Sequence, residues 1–202
     1  MDPEAHFRAV APLHMRQLLK DFPDLGDLDA AAIFGNAGHE SKGLTDDQED
    51  KPTVKGSRGG LNWMQWTGPR RRAMEAYCQR NGLDPTSDGA AYKWLFLELK
   101  GDEKNALPAI KRAKTLRGKV EAFEKAFLRA GVKHYPSRMR WAEIALDEFT
   151  KPAVRPPEPV KPVVPPAPAS PAPTPPPAKQ RQSLLGMLID LILKLFTKGQ
   201  LK

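Results

Sequence analysis

Apolar residues recur at three- and four-residue spacing through most of the first 150 positions, and strict alternation is scarce. The chain therefore predicts helices with little strand. "PEAHFRAVAPLHMRQLLKDF" forms the first helix, broken by Pro23 and Gly26. The second starts near Asp27, a candidate N-cap, and runs through Leu28, Ala31, Ala32 and Phe34 toward Glu40. A polar, irregular stretch follows, "KGLTDDQEDKPTVKGSRGGL", and a loop of that length inside a compact domain is functional, mobile or folded into a small hairpin. Helical spacing returns with Pro69 in a first turn, Met74, Tyr77 and Cys78 on one face, and Gly82 as the stop. Three further stripes read as core: Trp94, Leu95 and Leu99 behind a Ser87 N-cap; Val120, Phe123, Phe127 and Leu128; and Trp141, Ile144, Ala145 and Phe149.

After residue 150 the pattern changes. Of the chain's 21 prolines, 13 lie between Pro152 and Pro177, and a segment short of backbone donors builds neither helix nor sheet. The expected organisation is one all-α domain over residues 1–150, a disordered Pro-rich linker over 151–182, and an amphipathic helix over 183–202. In the last segment an apolar run from Leu184 to Phe196 is interrupted by Asp190 and Lys194. That run falls short of the ~20 residues that cross a bilayer, so it is expected to lie on a surface or to associate with its own kind.

Composition narrows the partners. The net charge of +8 suits an anionic one, such as a cell-wall polymer, lipopolysaccharide or an acidic membrane. No nucleic-acid motif or aromatic-basic repeat accompanies the charge, so nucleic acid is not expected. Cys78 is the single cysteine, which excludes an internal disulfide and fits manufacture in the cytoplasm. The first thirty residues mix charges into every apolar group and read as no signal peptide.

The chemistry concentrates at "IFGNAGHESKGL". If Ile33 to Glu40 are the last turns of a helix, Asn36 and Glu40 share a face. A carboxyl on such an apolar element is expected to be held protonated by desolvation, as a glycosidase acid must be. The alternative is an ordinary solvated residue before a Gly43 stop. "HESKG" is no zinc motif, because the second histidine that motif needs is Gly43, so no metal is expected. In "GGLNWMQWTGPRRR", Trp63 and Trp66 offer ring faces and Gln65 an amide to a sugar, although three-residue spacing equally suits two core tryptophans.

"IFGNAGHES" followed by "GGLNWMQWTGPRR" resembles the phage tail lysozyme family, a branch of the lysozyme-like superfamily of peptidoglycan-cleaving enzymes. In that family a helix with a Gly-Asn pair ends in Glu-Ser, and a later Gly-Leu-x-Gln-Trp segment lines the cleft. Here these are Gly35-Asn36, Glu40-Ser41, and Gly60-Leu61 through Gln65-Trp66, the last two residues longer than the family pattern. The dipeptide and glutamine are also similar to those of soluble lytic transglycosylases.

The resemblance implies a lysozyme-like α domain and cleavage between N-acetylmuramic acid and N-acetylglucosamine, without a cofactor, with Glu40 as the acid. It implies that Asn36 and Gln65 orient the substrate or the glutamate, that Trp63 and Trp66 contact sugars, and that Ser41 hydrogen-bonds the carboxylate. Asp46, Asp47 and Glu49 are the candidates for a second carboxylate. If none is in place, Glu40 acts alone as acid and then base and gives an anhydro-sugar product. The partner is bacterial peptidoglycan, met at the cell wall from a virion or after release at lysis. The competing reading is a non-enzymatic wall-binding or membrane-active adaptor. In it the C-terminal segment does the work, on an anionic membrane, on lipopolysaccharide or as a homo-oligomer contact.

Overall fold

A computed structural model describes residues 2–49, 52 and 55–151. The expected linker and C-terminal helix lie outside the described residues. The order is α1 (Pro3–Asp21), α2 (Asp27–Glu40), α3 (Gly68–Asn81), α4 (Asp88–Lys100), α5 (Ala106–Arg112), α6 (Leu116–Phe123), a π-helical turn (Glu124–Leu128) and α7 (Tyr135–Thr150). Among the described residues there is no strand. Where a small hairpin is one reading of residues 43–60, the described residues show an isolated antiparallel bridge of Gln48 with Leu61, and a second joins Leu61 to Trp66.

The helix boundaries follow local chemistry. Ser87 caps α4 by accepting from the Ala90 N–H, and Gly82 closes α3 at a φ of 63°. The N-cap of α2 is Gly26 and not Asp27; its backbone N–H donates to Asp29, three residues on, at 2.8 Å. The stripe from Val120 to Leu128 does not form one helix. It widens into the π turn after Phe123, which carries the Glu124 carboxylate inside with no exposed surface. There Glu124 accepts from the Ala130 N–H, Lys133 Nζ and the Tyr135 hydroxyl, fixing the loop that leads into α7.

Helix α2 is central and packs against α7, α6 and α1. Residues Ala30 to Ala37 are all buried, so this helix shows water almost none of its length. Contact with α7 depends on Gly35: a Cβ there would stand 2.4 Å from the Ala142 Cβ, so only glycine admits α7 this closely. At the other end Lys119 of α6 reaches Asp29 at 2.5 Å, tying the start of α2 to the same bundle.

Candidate functional site

Glu40 is the last residue of α2, where the helix leaves the core, and its side chain keeps 19% of its exposure. Its carboxylate Oε1 accepts from Arg138 Nη2 at 2.7 Å. Arg138 is the fourth residue of α7 and is 1% exposed. It is anchored on two further sides, through Nε to the Lys133 carbonyl at 2.7 Å and through Nη1 to Asn36 Oδ1 at 3.1 Å. The Asn36 amide nitrogen in turn donates to the Ala32 and Val120 carbonyls. With Nε and Nη1 anchored, the plane of the guanidinium is fixed and its Nη2 is aimed at Glu40.

This geometry changes the expected surroundings of Glu40. Its carboxyl does not sit on an apolar face beside Asn36; a guanidinium lies between the two side chains. Asn36 is linked to Glu40 only through Arg138, and with no exposed surface it does not meet a substrate. Arg138 is the residue that sequence reasoning missed. The signal was present, because Arg138, Ala142 and Ala145 share one face of α7, so a cation continues a stripe of small buried residues.

Ser41 also differs from expectation. Its hydroxyl donates to the Ala37 carbonyl at 2.8 Å and accepts from the Leu44 N–H at 3.2 Å, so it caps the helix and does not bond the carboxylate. The chain then turns through Lys42, Gly43 and Leu44, all at positive φ. Beside Glu40, His39 Nδ1 meets Ser137 Oγ at 2.8 Å, and the His134 ring centroid lies 5.3 Å from that of His39. Burial, with Arg138 and His134 adding to it, pushes the His39 imidazole down to about 4.

The aromatic pair is core. Trp63 and Trp66 are each 1% exposed. The Trp63 indole N–H donates to Asp88 at 3.0 Å, and its ring packs edge-on against His14 and Phe34. The Trp66 indole N–H donates to Glu98 Oε2 at 2.7 Å. Neither ring has a face left for a sugar, which corrects the expected contact. This segment forms a tight reversal: Leu61 and Trp66 exchange both backbone hydrogen bonds, and Asn62 and Gln65 take left-handed conformations at φ 58° and 47°. The Gln65 amide nitrogen is held by the Asp46 and Asn62 carbonyls. Its oxygen lies 2.2 Å from where a Gly60 Cβ would stand, so that glycine makes room for the glutamine.

Of the three candidate second carboxylates, two are engaged. Asp46 pairs with Lys42 at 2.7 Å, and Glu49 accepts from the Gly60 N–H at 2.9 Å. Asp47 is exposed and makes no ion pair among the described residues. Next to the reversal of Leu61 and Trp66, Arg70 binds Glu98 and the Phe127 carbonyl, and Arg71 binds Glu75, Gln48 and the Arg58 and Gly59 carbonyls, so each guanidinium is engaged within the domain. Among the described residues no group of His, Cys, Asp and Glu is gathered as a metal site requires, and no helix is long and apolar enough to cross a membrane.

Comparison with known families matches residues 16–149 to the model described as phage tail lysozyme, which is more than half of the chain. No curated protein and no solved structure matched.

Proposed function

The chain belongs to the phage tail lysozyme family, and from that premise we propose that it cleaves the glycan strand of peptidoglycan between N-acetylmuramic acid and N-acetylglucosamine, with Glu40 as the catalytic acid. A lysozyme-like enzyme of this family acts on the cell wall. The observation that carries the role of Glu40 is its half-committed carboxylate: Oε1 is held by Arg138, while Oε2 accepts no hydrogen bond among the described residues. Proton transfer to the glycosidic oxygen needs an oriented carboxyl with one oxygen open to the substrate. Arg138 acts as a positioning residue. The transfer starts from Glu40 carrying a proton on its open oxygen Oε2, which Arg138 keeps aimed by holding Oε1.

The engagement of Asp46 and Glu49 favours a second reading of the chemistry within the same site. With those acids occupied, Glu40 first protonates the leaving oxygen and then takes the proton of the muramyl 6-hydroxyl as that oxygen closes on C1. The product is an anhydro end instead of the reducing end that water would leave. Asp47 is the acid still open for a hydrolytic route. The Pro-rich and C-terminal segments serve delivery to an anionic surface in this account and take no part in the chemistry.

Mass analysis of muropeptides released from purified peptidoglycan tests both levels. Fragments cut at the muramyl bond are expected from the full chain and not from Glu40→Gln. Reducing or anhydro ends then identify the route. Release of intact glycan strands with cut peptides would refute glycan cleavage altogether.

A further inference from the structure

At the start of α2, remote from Glu40, the C-terminal ends of α1, α4 and α5 converge around a recess of about 730 Å³. The fourteen residues of α2 separate it from Glu40 by roughly 20 Å at 1.5 Å per residue. The volume falls within the ~300–1,000 Å³ of small-molecule sites. Its wall is apolar where Phe22, Leu25, Leu99, Leu107 and Pro108 line it. Its rim is cationic: Lys100, Lys104, Lys111, Arg112 and Lys114 stand against two carboxylates, Asp21 and Asp24.

Much of this charge has a local explanation, and the remainder does not. Lys100, Lys111 and Arg112 occupy last helical turns, where they offset helix dipoles of about half a charge each. Lys100 also lies over the Phe22 ring, 4.8 Å from its centroid, and Lys111 reaches Asp24 at 3.5 Å. Asp21 is occupied by the Tyr92 hydroxyl at 2.6 Å and by Gln17. Lys104 and Lys114 lie outside any helix end, and together with Arg112 they are exposed and make no ion pair among the described residues. Three unpaired cations at the mouth of an apolar recess want an anion with a hydrophobic body.

We propose that this recess binds an anionic amphiphile, a single acyl chain ending in a phosphate, with the chain along Leu107 and Pro108 over the buried floor of Leu25 and Leu99, and the phosphate among Lys104, Arg112 and Lys114. Charge complementarity selects this occupant over the chain's own apolar tail. That tail carries Lys194, Lys198 and Lys202 against the single Asp190, and the rim would repel it. A polyanion without an apolar part would leave the wall of the recess uncovered.

Calorimetric titration of the full chain with dodecyl phosphate, below its micelle concentration, tests the proposal. Saturable one-to-one binding is expected, weakened at least about tenfold in the triple variant Lys104→Glu, Arg112→Glu, Lys114→Glu, since three charge-assisted contacts are lost. Peptidoglycan cleavage by this variant should match wild type, with the melting temperature lowered only slightly by the reversed charge at the α5 C-terminus. In wild-type protein, ligand-induced amide shifts at Leu25, Leu99 and Leu107 report the same site without any substitution. Absence of binding, unchanged affinity in the triple variant, or shifts confined to other residues would overturn the proposal. So would equal binding of dodecyl maltoside, which lacks the charge, or of inorganic phosphate, which lacks the chain.

Discussion

Two carboxylates in this domain each face an arginine, and they differ in what remains of them. Glu98 is 7% exposed and gives both oxygens away: Oε1 accepts from Arg70 Nε at 2.8 Å, and Oε2 accepts from Arg70 Nη2 and from the Trp66 indole, each at 2.7 Å. Glu40 keeps 19% of its exposure and commits one oxygen to one donor. Glu124, with three donors and no exposed surface, behaves like Glu98. A carboxylate whose lone pairs are all engaged is a structural brace, because any new partner must first displace an old one. One that is oriented by a single rigid donor and open on the other side is equipped for chemistry.

The largest effect expected from this contrast is on catalysis. Glu40→Gln should lower cleavage of purified peptidoglycan by ~10²–10⁴-fold, the usual contribution of a general acid, while circular dichroism stays helical. Wild-type turnover would show that the open oxygen has no chemical meaning. The counterpart in the brace acts on stability. Glu98→Leu leaves the half-buried Arg70 guanidinium and the buried Trp66 indole N–H without their acceptor and should cost about 1–3 kcal/mol, and Trp66→Ala about 3–5 kcal/mol through lost packing. Urea unfolding measures both, and chitooligosaccharide affinity per folded molecule should not change. An affinity lost by Trp66→Ala without a stability loss would return that ring to the sugar.

Gly35→Ala tests how the open site is held. The new methyl group meets Ala142, and such overpacking costs about 1–3 kcal/mol. Because α7 also carries Arg138, the rate should fall further than the folded fraction; parallel decline of the two would make the helix seam irrelevant to the site.

The smallest effect is a pH slope. The His39 imidazole is lowered to about 4, so between about 6.5 and 4 the unfolded chain binds a proton that the folded one refuses. Stability from this group is therefore present at neutral pH and is lost as pH falls through that window. His14, lowered by its own burial, acts in the same direction. Glu124 acts below it. Burial works to raise its carboxyl, but Lys133, Tyr135 and the Ala130 N–H outweigh burial and lower it, so its contribution fades only under 4.5. His39→Gln should flatten the change in melting temperature between pH 7 and 4.5 and leave the His14 share; an unaltered slope would remove His39 from the account.

Helical periodicity was enough to place most of these elements, because burial of one face imposes a 3.6-residue pattern wherever a helix packs. It missed α5, which is seven residues long with Pro108 inside and too short to show a period. It also ran α6 and the π turn together, since one extra residue per turn leaves the apolar stripe nearly unchanged. The position of Glu40 at a helix end was legible from Gly35-Asn36 and Glu40-Ser41. Its partner was not, because Arg138 stands 98 positions away and meets it only when α2 and α7 pack. Indole rings and carboxylates look alike in sequence whether they face a ligand or a core, and spacing along one helix cannot say which neighbours arrive from others. Residue type and period, which are local, determined the helices and the candidate acid. Which lone pairs stay open and which rings stay covered was decided by long-range packing, because a hydrogen bond or a buried face needs a second surface that the local sequence does not contain.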